Sequence, residues 1–178
     1  MSGKLTLISS ATASDSASVE FTSGIDSTYD EYVFYFVDIF SRSGSSRFRF
    51  QANASGGSGF NETITSSFFY AYHNESGSTS TLMYQGAYDQ AQGTSYQPIT
   101  GTLDNAADNC GVGELHLFSP SSTSKVKHFY ATANNSGGNY STNVHVAGYI
   151  NTTSAIDEIA FNVTSGNFDG NIYMFGVK

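Results

Sequence analysis

The chain has 178 residues and a net charge of −8 that rests on only 15 acidic and 7 basic side chains. So acidic a balance argues against sequence-independent nucleic-acid binding, which draws its affinity from Lys and Arg on phosphates. Polar positions are filled by Ser, Thr, Gly and Asn, and aromatic content is high, with 14 Phe, 12 Tyr and no Trp. That mixture favours strands and turns, because Ser, Thr and Asn compete with helical hydrogen bonds and Gly is costly inside a helix. A chain of this length buries roughly 70% of its unfolded surface and needs no second core, so residues 1–178 are expected to form a single domain.

The opening Met1-Ser-Gly-Lys4 shows no charged-then-apolar leader, and the longest apolar run is broken by Asp38, so neither export nor membrane insertion is expected. Residues 4–9, with Leu5, Leu7 and Ile8, read as a short first strand near a sheet edge, followed by a Ser/Asp/Ala-rich loop. Ala17, Val19 and Phe21 alternate with Ser18 and Glu20, the half-buried strand pattern. After a turn cluster at 22–28 comes the chain's most apolar decapeptide, residues 31–40. Val33, Tyr35, Val37 and Ile39 mark one face and Tyr32, Phe34 and Phe36 the other. With both sets apolar, this strand is predicted to be central and covered on both sides.

Residues 47–52 place Phe48, Phe50 and Ala52 inward and Arg47, Arg49 and Gln51 outward, which predicts a hairpin with the preceding strand. Residues 64–73 form the next strand, ending Phe68-Phe69-Tyr70-Ala71-Tyr72, and Leu82, Met83 and Tyr84 make a short one. The stretch 85–98 is the longest without periodicity and is a candidate functional loop; its Tyr88–Gln92 portion is too short for a helix. Further strands are predicted at 99–103, at Leu115 and Leu117 with Val112 or Gly113 inward, at 126–131, around Val144, Val146 and Gly148, at 159–163 and at 172–177. Eleven or twelve short strands joined by polar turns, without a fixed repeat, predict an all-β, antiparallel two-sheet β-sandwich of jelly-roll type.

Residue types that carry chemistry are scattered. His73, His116, His128 and His145 show no local metal-ligand spacing. The loop 104–109 collects oxygen-bearing side chains without the spacing of an EF-hand, and reads as a solvated turn. The carboxylate neighbours Glu31 with Asp38 and Asp157 with Glu158 do not define a glycosidase pair, and no nucleophile elbow or phosphate-binding loop is present. Cys110 is the sole cysteine, so no intrachain disulfide forms, and it reads as a half-buried residue beside a turn. Seven Asn-X-Ser/Thr sequons follow from composition and carry no glycosylation claim. No catalytic residue, metal ligand or cofactor site is therefore assigned. Tyr84, Tyr88, Tyr96 and Tyr140, in or beside loops, are the candidate ligand-binding residues, able to stack on sugars, to pack on a protein neighbour, or to fold back over the sandwich ends.

Three stretches bear a likeness to known proteins. The first is Ser23-Gly-Ile-Asp-Ser-Thr-Tyr-Asp-Glu-Tyr-Val-Phe34 with Arg47-Phe-Arg-Phe-Gln-Ala52; the second is Gly113-Glu-Leu-His-Leu-Phe-Ser-Pro-Ser-Ser122 with Lys127-His-Phe129. The third is Val146-Ala-Gly-Tyr-Ile-Asn-Thr-Thr-Ser-Ala-Ile-Asp157 with Ser165-Gly-Asn-Phe-Asp-Gly-Asn-Ile-Tyr-Met-Phe-Gly176. Taken in order, they resemble a family of virion structural proteins of tailed bacteriophages, especially those infecting marine bacteria. The resemblance implies a non-enzymatic β-sandwich built into or onto a phage particle assembled in the host cytoplasm, as a capsid decoration or knob or as a tail or fibre module. Its implied partners are other virion proteins, the major capsid protein or tail components, with further copies of itself in a homo-oligomer. Recognition of host-surface glycan is the alternative, and glycan depolymerisation a third.

Overall fold

The computed structural model describes residues 4–178, so the opening Met1-Ser-Gly of the leader reading lies outside the described residues. Thirteen strands and no helix occur among the described residues. In chain order they are β1 (Thr6–Ser16), β2 (Ser18–Phe21), β3 (Glu31–Ser41), β4 (Phe48–Ala54), β5 (Ile64–Asn74), β6 (Ser80–Tyr84) and β7 (Ala91–Gly93). The remainder are β8 (Gln97–Pro98), β9 (Gly111–Phe118), β10 (Lys127–Gly137), β11 (Tyr140–Ile150), β12 (Ile156–Val163) and β13 (Phe168–Val177).

Eight of these strands follow jelly-roll order, β1-β13-β3-β9 in one sheet against β2-β12-β4-β8 in the other, and every pairing is antiparallel. The rest are insertions that lengthen the first sheet. The β10–β11 hairpin adds to β9, β5 adds to β11, and β6 and β7 both add to β5. Nine strands thus face four, and part of the long sheet's inner face extends past its cover.

Phenylalanines join the sheets. Phe48 stacks on Phe161 with ring centres 5.5 Å apart and meets Phe36 at 5.3 Å and Phe168 at 5.5 Å, while Phe50 meets Phe129 at 5.0 Å. Such edge-to-face and offset contacts add about 0.5–1.5 kcal/mol per pair beyond the area they bury. Lys127 shares the buried inward face of β10 with Phe129 and Ala131, and its Nζ donates to the carbonyls of Lys125, Thr152 and Ser154 at 3.0, 3.1 and 2.5 Å. Three acceptors offset the cost of placing an ammonium there.

Several expectations are corrected. Strand β3 is central, bonded to β13 and β9, but only its Tyr32, Phe34 and Phe36 face is packed against the second sheet. On the other face Tyr35 is half-buried against Phe175 and Val37 is exposed, while Asp38 at φ 54 forms a bulge that returns Ile39 to the core. Cross-strand neighbours, rather than a third layer, shield that face. Residues 47–52 do not form a hairpin with β3, since β4 lies in the opposite sheet; the Ser/Gly link crosses the sandwich. Gln51 is buried, because its Nε2 donates to the carbonyls of Glu62, Thr94 and Ser95, which cap the outer face of β4.

The first strand extends through the predicted loop to Ser16, small residues sufficing where β1 lies along an edge. No strand forms at 99–103, where a single bridge joins Leu103 to Ser46; the short β8 lies just before it, at the end of the stretch expected to be a loop. Gly113, not Val112, faces inward: Val112 is exposed, and the Phe36 ring lies against Gly113.

Candidate functional site

Inward-facing side chains of β5 and β11 change character along their length. Ile64 and Phe68 are buried beneath the smaller sheet, as are Val144 and Val146 of the paired β11. Beyond its edge the same faces carry Tyr70, Tyr72, Tyr140 and Thr142. An inner face without a covering layer must meet water, and tyrosine does so with its hydroxyl while still packing its ring. The uncovered rings build one wall of a cleft of about 230 Å³.

Arg47, Tyr88, Gly101 and Thr102 line the rest of the cleft, and Gly137, paired with Tyr140 at the end of the β10–β11 hairpin, closes it at the tip. Tyr88 is held there by its fold context. Its backbone N–H donates to Gln85 O at 3.1 Å, Gln85 N–H donates to Phe68 O at 2.8 Å, and buried Gln97 donates from Nε2 to Tyr88 O at 2.9 Å. The stretch 85–98 is therefore fastened to β5 rather than free, and its Gln90 and Ser66 exchange further hydrogen bonds of 2.9 Å.

Within the cleft, Tyr72 and Tyr140 meet edge to face at 5.5 Å, Tyr70 and Tyr72 stack at 5.9 Å, and Phe68 forms the floor against Tyr88 at 5.4 Å. The Arg47 guanidinium carbon lies 4.0 Å from the centre of the Tyr88 ring. Arg47 Nη2 donates to Tyr88 Oη and, at 3.0 Å, to Thr102 Oγ1. At the rim, Asp104 accepts from Gly138 N–H, from Ala106 N–H at 3.0 Å and from Asn109 Nδ2. Those donors, Asn109 foremost, hold its carboxyl below the usual carboxylate range.

Of the four tyrosines singled out by sequence, Tyr88 and Tyr140 come together in this cleft. Tyr84 is exposed on the edge strand β6, donating from Oη to the Asp89 carboxylate, which raises its pKa. Tyr96 lies over the outside of the smaller sheet, where the Arg49 guanidinium sits 5.3 Å from its ring centre; burial raises its pKa, with Glu20 adding to the effect and Arg49 opposing it. Tyr70, Tyr72 and Arg47 are the residues that sequence reasoning missed as site members. The signal for the two tyrosines was the change from Phe to Tyr along one face of β5.

The other candidates disperse. Among the described residues no three His, Cys, Asp or Glu side chains converge as metal ligands. His116 bonds Glu31 through Nδ1 and stacks on Tyr130 at 4.3 Å, and His145 stacks on Phe69 at 5.3 Å. Glu158 accepts from Asn53 Nδ2 at 2.8 Å. Burial, with nearby Asp38, raises the Cys110 thiol. In comparisons with known proteins, no family model and no curated protein matches the chain.

Proposed function

We propose that this chain is a non-enzymatic structural protein of a tailed-phage particle, a capsid decoration or knob or a tail or fibre module, that works by contact with neighbouring virion proteins and with further copies of itself. The observation that carries the reading is the outward flank of the long sheet. Phe69, Leu82 and Tyr84 are exposed together on the β5–β6 pair, and Tyr130 is exposed on the same face at β10. Apolar side chains gathered on one flank are the signature of a surface that other proteins cover. Sequence resemblance over the three stretches named above supports the same assignment. Mass spectrometry of purified particles tests it: copies of the chain in stoichiometric amounts are expected, and particles lacking it overturn the reading.

The tyrosine cleft favours a second role for the same protein, recognition of surface glycan. Rings of Tyr70, Tyr72, Tyr88 and Tyr140, mounted on strands or on a fastened loop, offer rigid amphipathic contact area to a sugar. Saturation-transfer NMR with soluble oligosaccharides tests this role, and loss of the signal in Tyr140→Ala is the expected outcome.

A further inference from the structure

The cleft is electrically asymmetric. Among the described residues Arg47 is the only basic residue that lines it, and no carboxylate pairs with Arg47. Arg42, by contrast, pairs with Asp169 and Asp15. Among the described residues Arg47 has only hydroxyl partners: Nη2 serves Tyr88 and Thr102, Nε is buried without an acceptor, and Nη1 makes no hydrogen bond. In a protein with more than twice as many acidic as basic residues, a guanidinium so placed has its charge uncompensated.

The nearby acid is already engaged. Asp104 spends its oxygens on Gly138, Ala106 and Asn109, holding the β10–β11 hairpin tip beside Gly137. Arg47 is itself oriented, stacked on Tyr88, and an oriented guanidinium loses less freedom on capturing an anion than a free side chain does.

We propose that the cleft binds an acidic saccharide unit, one pyranose bearing a carboxylate or a sulfate, with the anion on Arg47. The sugar ring sits in the corner made by Tyr72 and Tyr140, whose planes stand 86° apart, so that one ring offers its face and the other its edge. Thr102 and Thr142 also line the cleft, and the Thr102 hydroxyl, which accepts from Arg47, keeps its proton to donate to a sugar hydroxyl. A cleft of about 230 Å³ takes a single ring rather than a chain, smaller than the roughly 300–1,000 Å³ of drug-sized sites. One cation in an acidic protein suits a sparsely charged glycan better than a nucleic acid strand, which requires several Lys and Arg contacts.

This proposal rests on the surface-glycan reading, and titration calorimetry separates the two. The probes are a neutral oligosaccharide such as maltotriose, an oligogalacturonate, a sulfated galactose oligosaccharide and adenosine monophosphate. The galacturonate or the sulfated sugar is expected to bind about tenfold or more tightly than the neutral one, the worth of one charge-assisted hydrogen bond. Whichever acid binds tells carboxylate from sulfate. Added salt is expected to weaken acidic but not neutral binding to the wild-type protein, a readout independent of any variant's folding. Arg47→Gln removes the preference, and Tyr140→Ala, which leaves Arg47 in place, weakens both classes. Equal affinity for neutral and acidic sugars overturns the acidic assignment and leaves the glycan reading standing. Absence of any saccharide binding overturns both, and preferential binding of the nucleotide overturns the saccharide assignment.

Discussion

The Phe36 ring lies against Gly113 across the β3–β9 pair, where a Cβ at position 113 would sit 2.7 Å from the ring and closer still to the Thr132 carbonyl oxygen. Phe36 in turn meets Phe48 of the opposite sheet, so the contact transmits directly into the centre of the sandwich. Gly113→Ala must move either a backbone carbonyl or a core ring. Overpacking of this kind costs about 1–3 kcal/mol. Thermal unfolding should show a Tm several degrees lower, with Val112→Ala, at an exposed neighbouring position, nearly unchanged.

Lys127 is the buried charge whose removal should be felt most. Substitution by Met preserves much of the volume and leaves the carbonyls of Lys125, Thr152 and Ser154 without their donor. The expected loss at neutral pH is about 1–3 kcal/mol in urea denaturation. Burial also lowers the folded-state pKa of Lys127 below its ordinary 10.5. Between that lowered value and 10.5 the unfolded chain holds more protons, so this group makes stability rise with pH across the window. Lys127→Met should abolish that rise.

Acid sensitivity should concentrate at Asp169. Its carboxylate accepts from Asp15 N–H at 2.6 Å and from Arg42 Nη2 at 2.7 Å, joining β13 to β1 and to the end of β3. The Asp15 amide and then Arg42 hold its pKa below 3.8. Because the folded value is the lower one, the stabilisation is present above 3.8 and is lost as pH falls through the folded value. Denaturation curves for Asp169→Asn should be less stable than wild type at neutral pH and should converge with it in acid.

Leu82, 75% exposed on the terminal strand β6, should matter to association rather than to folding. A lysine on a sheet edge opposes pairing with another chain. Leu82→Lys should keep the wild-type Tm and show less concentration-dependent association in sedimentation velocity. Unchanged association would remove this edge from the contact surface.

The cleft was half legible. Tyr88 and Tyr140 stand out beside Gly- and Asn-rich turns, but Tyr70 and Tyr72 sit in a strand whose alternation matches that of core residues. Whether an inward-facing ring is buried depends on how far the opposing sheet extends, and no local pattern records that distance. Arg47 was hidden for the same reason, since outward from the smaller sheet here means toward the overhang of the larger one.

Alternation of apolar side chains, abundant Gly and Asn turns and scarce helix formers determined the all-β class, the centrality of β3 and most strand positions, because these depend on neighbours two residues apart. The tertiary structure alone decided which strands cross between sheets, that two insertions lengthen one sheet past the other, and that the resulting overhang brings four tyrosines and an arginine together. Those outcomes depend on pairings between residues far apart in the chain, where the free energy of one sheet covering another, rather than any local preference, selects the arrangement.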